Sequence, residues 1–226
     1  MIGLNPEPKF KLFSVAGVPV HADHSALFLL ALILVMYGRG GPEAMIAAVM
    51  IAGIAFVSLV GHELGHAVAV RKLGYGSSQI VLGGMGGVCK WYGRPTRGDS
   101  IRIALAGPAA SLAMGALALA LYIPLRPHLT GLGPIRVMLT AAVFLNLVWG
   151  IFNLLPIFPM DGGRALRSAL GFKFSQRESA RRSLIVSGVI GVAVAIVSYL
   201  MGQWPAALVV ALLLAQNWNE WQRLNG

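Results

Sequence analysis

Apolar residues in this chain run in long blocks, which surround Leu27–Tyr37, Met45–Val70, Ile101–Ile123, Val137–Leu155, Leu184–Leu200 and Ala206–Ala215. Most of these blocks approach the roughly 20 apolar residues that a helix needs to cross the hydrocarbon core of a bilayer, and the first and last are shorter. The pattern predicts an all-α polytopic membrane protein of about six transmembrane helices. No long linker, low-complexity tract or repeat interrupts it, so residues 1–226 are expected to form a single membrane-embedded domain. The N-terminal stretch holds Pro6, Pro8, Lys9 and Lys11 and lacks the charge order and cleavage site of a signal peptide. The first helix is therefore expected to be retained.

Composition sharpens this picture. Hydrophobic residues make up 57% of the chain and charged ones 12%, at a mean hydropathy of +0.73, outside the usual range of a water-soluble domain. The net charge of +10 invites a nucleic-acid reading, but its distribution argues otherwise. Fifteen of the eighteen Lys and Arg residues precede helix 1, follow helix 6, or lie between helices 2 and 3 or helices 4 and 5. Only Arg39, Arg126 and Arg136 fall on the other side. This is a positive-inside asymmetry, with both termini expected in the cytoplasm and membrane lipid as a partner. No aromatic-interleaved basic surface accompanies the charge, so no nucleic acid is expected.

Candidate chemistry lies inside the second block, at Val60-Gly61-His62-Glu63-Leu64-Gly65-His66-Ala67. In this H-E-x-x-H pattern His62 and His66 stand one helical turn apart on one face and can direct two imidazoles at one ion. Glu63 is displaced around the helix, where it can reach a water at the metal without becoming a ligand, as a general base must. The bland alternative is a chance match on a solvated helix, but ionisable groups within a membrane span are costly unless paired, metal-bound or facing water. Cys89 is the single cysteine, so no intrachain disulfide forms and a metal must be held by His and carboxylate.

Catalytic zinc commonly takes three protein ligands. Asp161 is the best third candidate, in Asn153-Leu154-Leu155-Pro156-Ile157-Phe158-Pro159-Met160-Asp161-Gly162-Gly163. There two prolines end helix 4 and two glycines permit an unusual backbone path, which at membrane depth is tolerated only against protein or a cavity. On the residues alone, Asp161 could equally cap a short helix over Arg164–Leu170.

The two segments together resemble the paired signatures of the site-two protease family of membrane metalloproteases. The match covers about Ser58 to Leu170. It implies a catalytic core of about 45–170, with extra helices at 25–37, 184–200 and 206–218, in a compact form without PDZ or CBS domains. By this resemblance His62, His66 and Asp161 hold one Zn2+, Glu63 is the catalytic carboxylate, and Asn153 holds the substrate backbone. The segment Ile80–Val88, with Gly83, Gly84, Gly86 and Gly87, is too short to span and resembles the family's short re-entrant β-hairpin near the active site. That places Gly84, Gly86 and Gly87 beside an extended substrate, whereas composition alone is also compatible with a simple turn.

The expected function is hydrolysis of peptide bonds within or near transmembrane segments, as in regulated intramembrane proteolysis, on a transmembrane protein or peptide substrate in a bacterial plasma membrane. Arg71 and Lys72 are expected to mark the cytoplasmic end of helix 2, which puts His66 and His62 roughly 7 and 13 Å inward at about 1.5 Å per residue. The metal is thus expected in the cytoplasmic half of the bilayer. Alternatives are a membrane metal or ion transporter, which leaves Glu63 unexplained, and a non-catalytic binding protein of the same fold. Other residues receive plainer readings. Gly107, Ser111 and Gly115 form a small-residue stripe for helix packing, and His21, Asp23 and His24 are interfacial polar residues. Met85 and Met114 are packing residues, His128 lies in an outer loop, and Trp218 and Trp221 belong to an interfacial belt.

Overall fold

A computed structural model describes residues 8–84, 86–129 and 133–225. Met85 lies outside the described residues. The chain is mostly helical, with strands β1 (Phe10–Val15), β2 (Val18–Ala22), β3 (Ser78–Gly83) and β4 (Gly86–Trp91). The helices are α1 (Ala26–Tyr37), α2 (Pro42–Lys72), α3 (Arg97–Leu125), α4 (Gly133–Leu154), α5 (Asp161–Leu170), α6 (Gln176–Leu200) and α7 (Trp204–Asn225), with a 3-10 turn at Arg126–Leu129 after α3. Four of these, α2, α3 with its 3-10 extension, α4 and α6, are long and apolar enough to cross a membrane. The other two blocks give less. Helix α1 has only 12 residues, and the C-terminal half of α7 carries Gln216, Asn217, Asn219, Glu220, Gln222 and Arg223.

The chain divides into two compact units. One comprises the residues through Gly93 together with Ala106–Ile151, and the other Arg94–Leu105 together with Phe152–Gly226. In the first unit the four strands form one sheet in the order β1-β2-β3-β4. Strands β1 and β2 are antiparallel, β2 and β3 parallel, and β3 and β4 antiparallel. The expected hairpin is β3–β4, but the all-α reading needs correction, because two further strands precede it. Strand β1 is exposed along nearly its whole length, so no buried face imprints an alternation on its sequence. Strand β2 pairs with β3 across a long separation, with Val20 opposite Ile80 and Ala22 opposite Leu82, a contact no local pattern announces. Val18, Val20, Ile80 and Leu82 pack with Val60 and Ala67 of α2 into a buried cluster. Val60 and Ala67 are seven residues apart and share one face of the helix.

Helix α2 starts at Pro42 after Gly41, whose φ is 105°, and Pro at the first helical position gives up only a donor that would have lacked an intrahelical partner. Asn146 on α4 donates to Ser58 Oγ on α2 at 2.8 Å, a buried polar bond between two apolar helices. In the second unit α6 and α7 form an antiparallel pair. Gly191 lets α6 approach Leu214 closely, and Asn217 Nδ2 donates to the Leu184 carbonyl at 3.0 Å. Arg167 pairs with Glu220 at 3.6 Å, and the Arg181 guanidinium lies over Trp221.

Candidate metal centre

His62, Glu63 and His66 are buried on α2, at 3%, 6% and 6% exposure. The two imidazole centroids are 5.0 Å apart at an interplanar angle of 78°, the arrangement that a four-residue helical spacing produces for two rings leaning the same way. Helix α2 places two glycines, Gly61 and Gly65, against α3. A methyl at Gly65 would stand 2.8 Å from Ala110 Cβ, and one at Gly61 would strike Met114, so Met114 packs as expected. Helix α3 answers with Ala106, Gly107, Ala110 and Ser111, and the two backbones close to a separation that larger side chains would forbid.

This packing does more than the stripe reading of α3 allowed. A methyl on Gly107 would collide with the Nε2 atoms of both His66 and His62, at 2.7 Å from the latter. Both Nε2 atoms therefore converge on the space that Gly107 leaves open. Ser111 is 1% exposed and its Oγ is 3.0 Å from His62 Nδ1. With Ser111 accepting from Nδ1–H, the ring is held in the tautomer that presents a lone pair at Nε2. The sequence signal for both residues was their spacing of four on a helix. It reads as a packing stripe until the facing helix is known.

Glu63 points to the sheet. A methyl on Gly87 of β4 would come within 2.7 Å of Glu63 Cγ and 3.1 Å of its Oε1, so β4 passes directly over this carboxylate. Gly84 is buried, and its N–H donates to Ser25 Oγ at 3.0 Å. Gly86, with φ 132°, has open space where a side chain would stand. Among the described residues strand β4 pairs with β3 alone and forms an edge of the sheet.

In the second unit Asp161 is 6% exposed and begins α5. Asp161 is not the N-cap: that position is Met160, whose side chain makes no cap hydrogen bond, and the helix starts three residues earlier than Arg164. An acidic residue in the first turn also suits the partial positive charge of a helix N-terminus. Gly162 and Gly163 have no room for a Cβ against the backbone of Leu154, Leu155 and Ile157, so the two glycines let α5 begin directly on the preceding loop. That loop contains a cis Phe158–Pro159 peptide, and Phe158 N–H donates to Ser187 Oγ of α6 at 2.7 Å. Asn153 is partly buried near the end of α4.

His21, Asp23 and His24 lie in and after β2. His21 is paired in register with Lys11 and Val81, Asp23 Oδ1 accepts from Ser25 N–H at 2.9 Å, and His24 meets Phe10 edge-on. His128 is exposed in the 3-10 turn.

A spanning helix that carries two convergent buried imidazoles and a buried carboxylate defines a membrane protein organised around a donor-bearing helix. Comparison with known proteins agrees. The model of a family described as peptidase family M50 matches residues 126–198. A zinc metalloprotease of Methanocaldococcus jannaschii is 31% identical over 203 residues, covering 90% of this chain and 56% of that protein. Rip3 of Mycobacterium tuberculosis is 37% identical over 169 residues, 69% of this chain and 42% of that protein. The chain thus spans about half the length of the curated relatives it matches. The solved site-2 protease of M. jannaschii superposes with a TM-score of 0.65 at 25% identity, covering 93% of this chain and 94% of that one. The kinship with the site-two protease family that the two motifs carry therefore stands in family, in relatives and in fold.

Proposed function

We propose that this chain is an intramembrane zinc metalloprotease that hydrolyses peptide bonds within or near transmembrane segments of membrane proteins. The observation that carries the reading is the buried His62-Glu63-His66 set on a helix apolar enough to cross a bilayer, where such groups are costly without a metal or partner. The donor set suits the ion. His62, His66 and Asp161 are each buried and each offers one ligand atom, a group that could hold a metal ion, and two imidazoles with one carboxylate are zinc chemistry.

When bound, one zinc ion lowers the pKa of a water molecule and polarises the scissile carbonyl. Glu63 takes the proton of the attacking water and passes it to the leaving amine. Gly87 leaves space against the Glu63 carboxylate, and the free edge of β4 can hydrogen-bond an extended substrate, with Gly86 offering unobstructed backbone. Asn153 holds the substrate backbone and donates to the developing oxyanion. The substrate must be unwound there, because a helical peptide bond already engages its own carbonyl. Helices α1 and α7 complete about six membrane crossings in one membrane domain, with both termini in the cytoplasm of a bacterial cell and the metal in the cytoplasmic half of the plasma membrane.

Purified protein and its Glu63→Gln variant, incubated with a model transmembrane peptide with and without a chelator, test this reading. Chelator-sensitive cleavage by the wild type is expected, together with zinc retention and no cleavage by Glu63→Gln. Chelator-insensitive cleavage, or a variant that cuts at the wild-type rate, would overturn it.

A further inference from the structure

Where α2 ends, the first unit holds a cavity of about 650 Å³. Arg71 lines it from the last turn of α2. The turn between β1 and β2 forms another wall, and Arg71 Nη1 donates to the Ala16 carbonyl of that turn at 2.9 Å. Gly74 and Gly76, at φ 82° and 85°, swing the chain from α2 into β3 and bring Ser77, Ser78 and Gln79 into the lining. From β4 comes Lys90, paired in register with Gln79, and beyond it Tyr92. Every charged residue lining the cavity is a cation and none is a carboxylate.

A pocket with two positive side chains, hydroxyls and an amide, but no internal counter-charge, is built for a multivalent oxyanion. Guanidinium offers a fork of donors and ammonium a compact charge, and bonds from either to phosphate oxygens are charge-assisted. The place fits as well, since Arg71 and Lys72 end a helix of bilayer-crossing length, where cations meet lipid headgroups. We propose that this cavity binds a phosphate group, carried either by a phospholipid headgroup or by a free phosphoryl compound. The site lies close to the candidate metal centre. Ala67, next to His66, is in the lining, and Lys90 is three residues along β4 from Gly87.

The test uses the full chain, delipidated in a neutral detergent, with Lys90→Gln, Lys90→Arg and, as a charge control in the other unit, Lys173→Gln. In one arm phosphatidylglycerol binding is titrated by native mass spectrometry, and in the other thermal stabilisation by inorganic phosphate is measured. Losing one charged contact should weaken binding by at least about tenfold in Lys90→Gln, with Lys90→Arg and Lys173→Gln near the wild type. That pattern with lipid alone assigns the site to a headgroup, and with inorganic phosphate to a free phosphoryl ligand. The proposal is overturned if Lys90→Gln matches the wild type with both probes, or if Lys173→Gln weakens binding as much as Lys90→Gln does.

Discussion

Replacing Ser111 by Ala removes one buried oxygen and almost no volume, so its effects isolate the bond to His62 Nδ1 at 3.0 Å. Left unpartnered in a site 3% exposed, an Nδ1–H costs about 1–3 kcal/mol. The ring can escape that cost by moving its proton to Nε2, but it then has no lone pair there for a metal. Both routes tax zinc binding, and loss of an outer-shell partner of this type lowers metal affinity about 10–100-fold, or about 1.4–2.7 kcal/mol. Competition against a chromophoric chelator gives the zinc dissociation constant directly. The control is Ser58→Ala, which also deletes a buried hydroxyl, the acceptor of Asn146, and leaves the Ser111 bond to His62 in place. It should lower thermal stability and leave zinc affinity unchanged. A Ser111→Ala protein whose zinc affinity stays within about twofold of the wild type, a range too small for loss of an outer-shell partner, would refute the tautomer argument and return Ser111 to simple packing.

Gly107→Ala should be worse, because its methyl enters the space on which both Nε2 atoms converge. Although Ala favours helix by up to about 1 kcal/mol over Gly, zinc content after purification should fall sharply, and full occupancy would show that the rings can move aside. Asp161→Ala should lower zinc occupancy while the protein stays folded, since the proposed site then loses one of its three ligands; undiminished metal by elemental analysis would remove Asp161 from the proposed ligand set. Gly87→Ala should retain zinc but lower turnover, because its Cβ would press on Glu63. Equal turnover would show that β4 does not constrain the carboxylate.

The two convergent imidazoles were legible in the sequence because their signal is local. His62 and His66 are four apart in a run that can only be a helix, and periodicity alone puts them on one face. The second motif was legible in part. Prolines and glycines announced irregular backbone around Asp161, but its choice between ligand and cap depended on where α5 begins, and helix ends are the least certain feature of a pattern. The structure begins the helix at Asp161 itself and leaves the N-cap to Met160. Strands β1 and β2 were not legible. Strand β2 joins the sheet through β3, near residue 80, and β1, which pairs only with β2 among the described residues, is exposed and carries no alternation to read.

Ser111 and Gly107 mark the boundary between the two kinds of information. Small residues at spacing four on α3 satisfy a packing rule completely, and nothing in α3 distinguishes a stripe that meets leucines from one that meets imidazoles. The distinction belongs to α2, where Gly61 and Gly65 clear the strip beside the one that His62 and His66 occupy. Close approach and chemistry are thus one arrangement. The backbones must nearly touch for a serine, with the shortest hydroxyl side chain, to reach Nδ1 at 3.0 Å, and a glycine must stand opposite for both Nε2 atoms to share one space. A longer donor such as Asn could bridge a wider gap, but only where α3 stood farther off. The small-residue stripe is therefore the means by which an apolar helix pair holds two imidazoles in fixed orientation, and sequence reasoning recovers it only when the two helices are read as one surface.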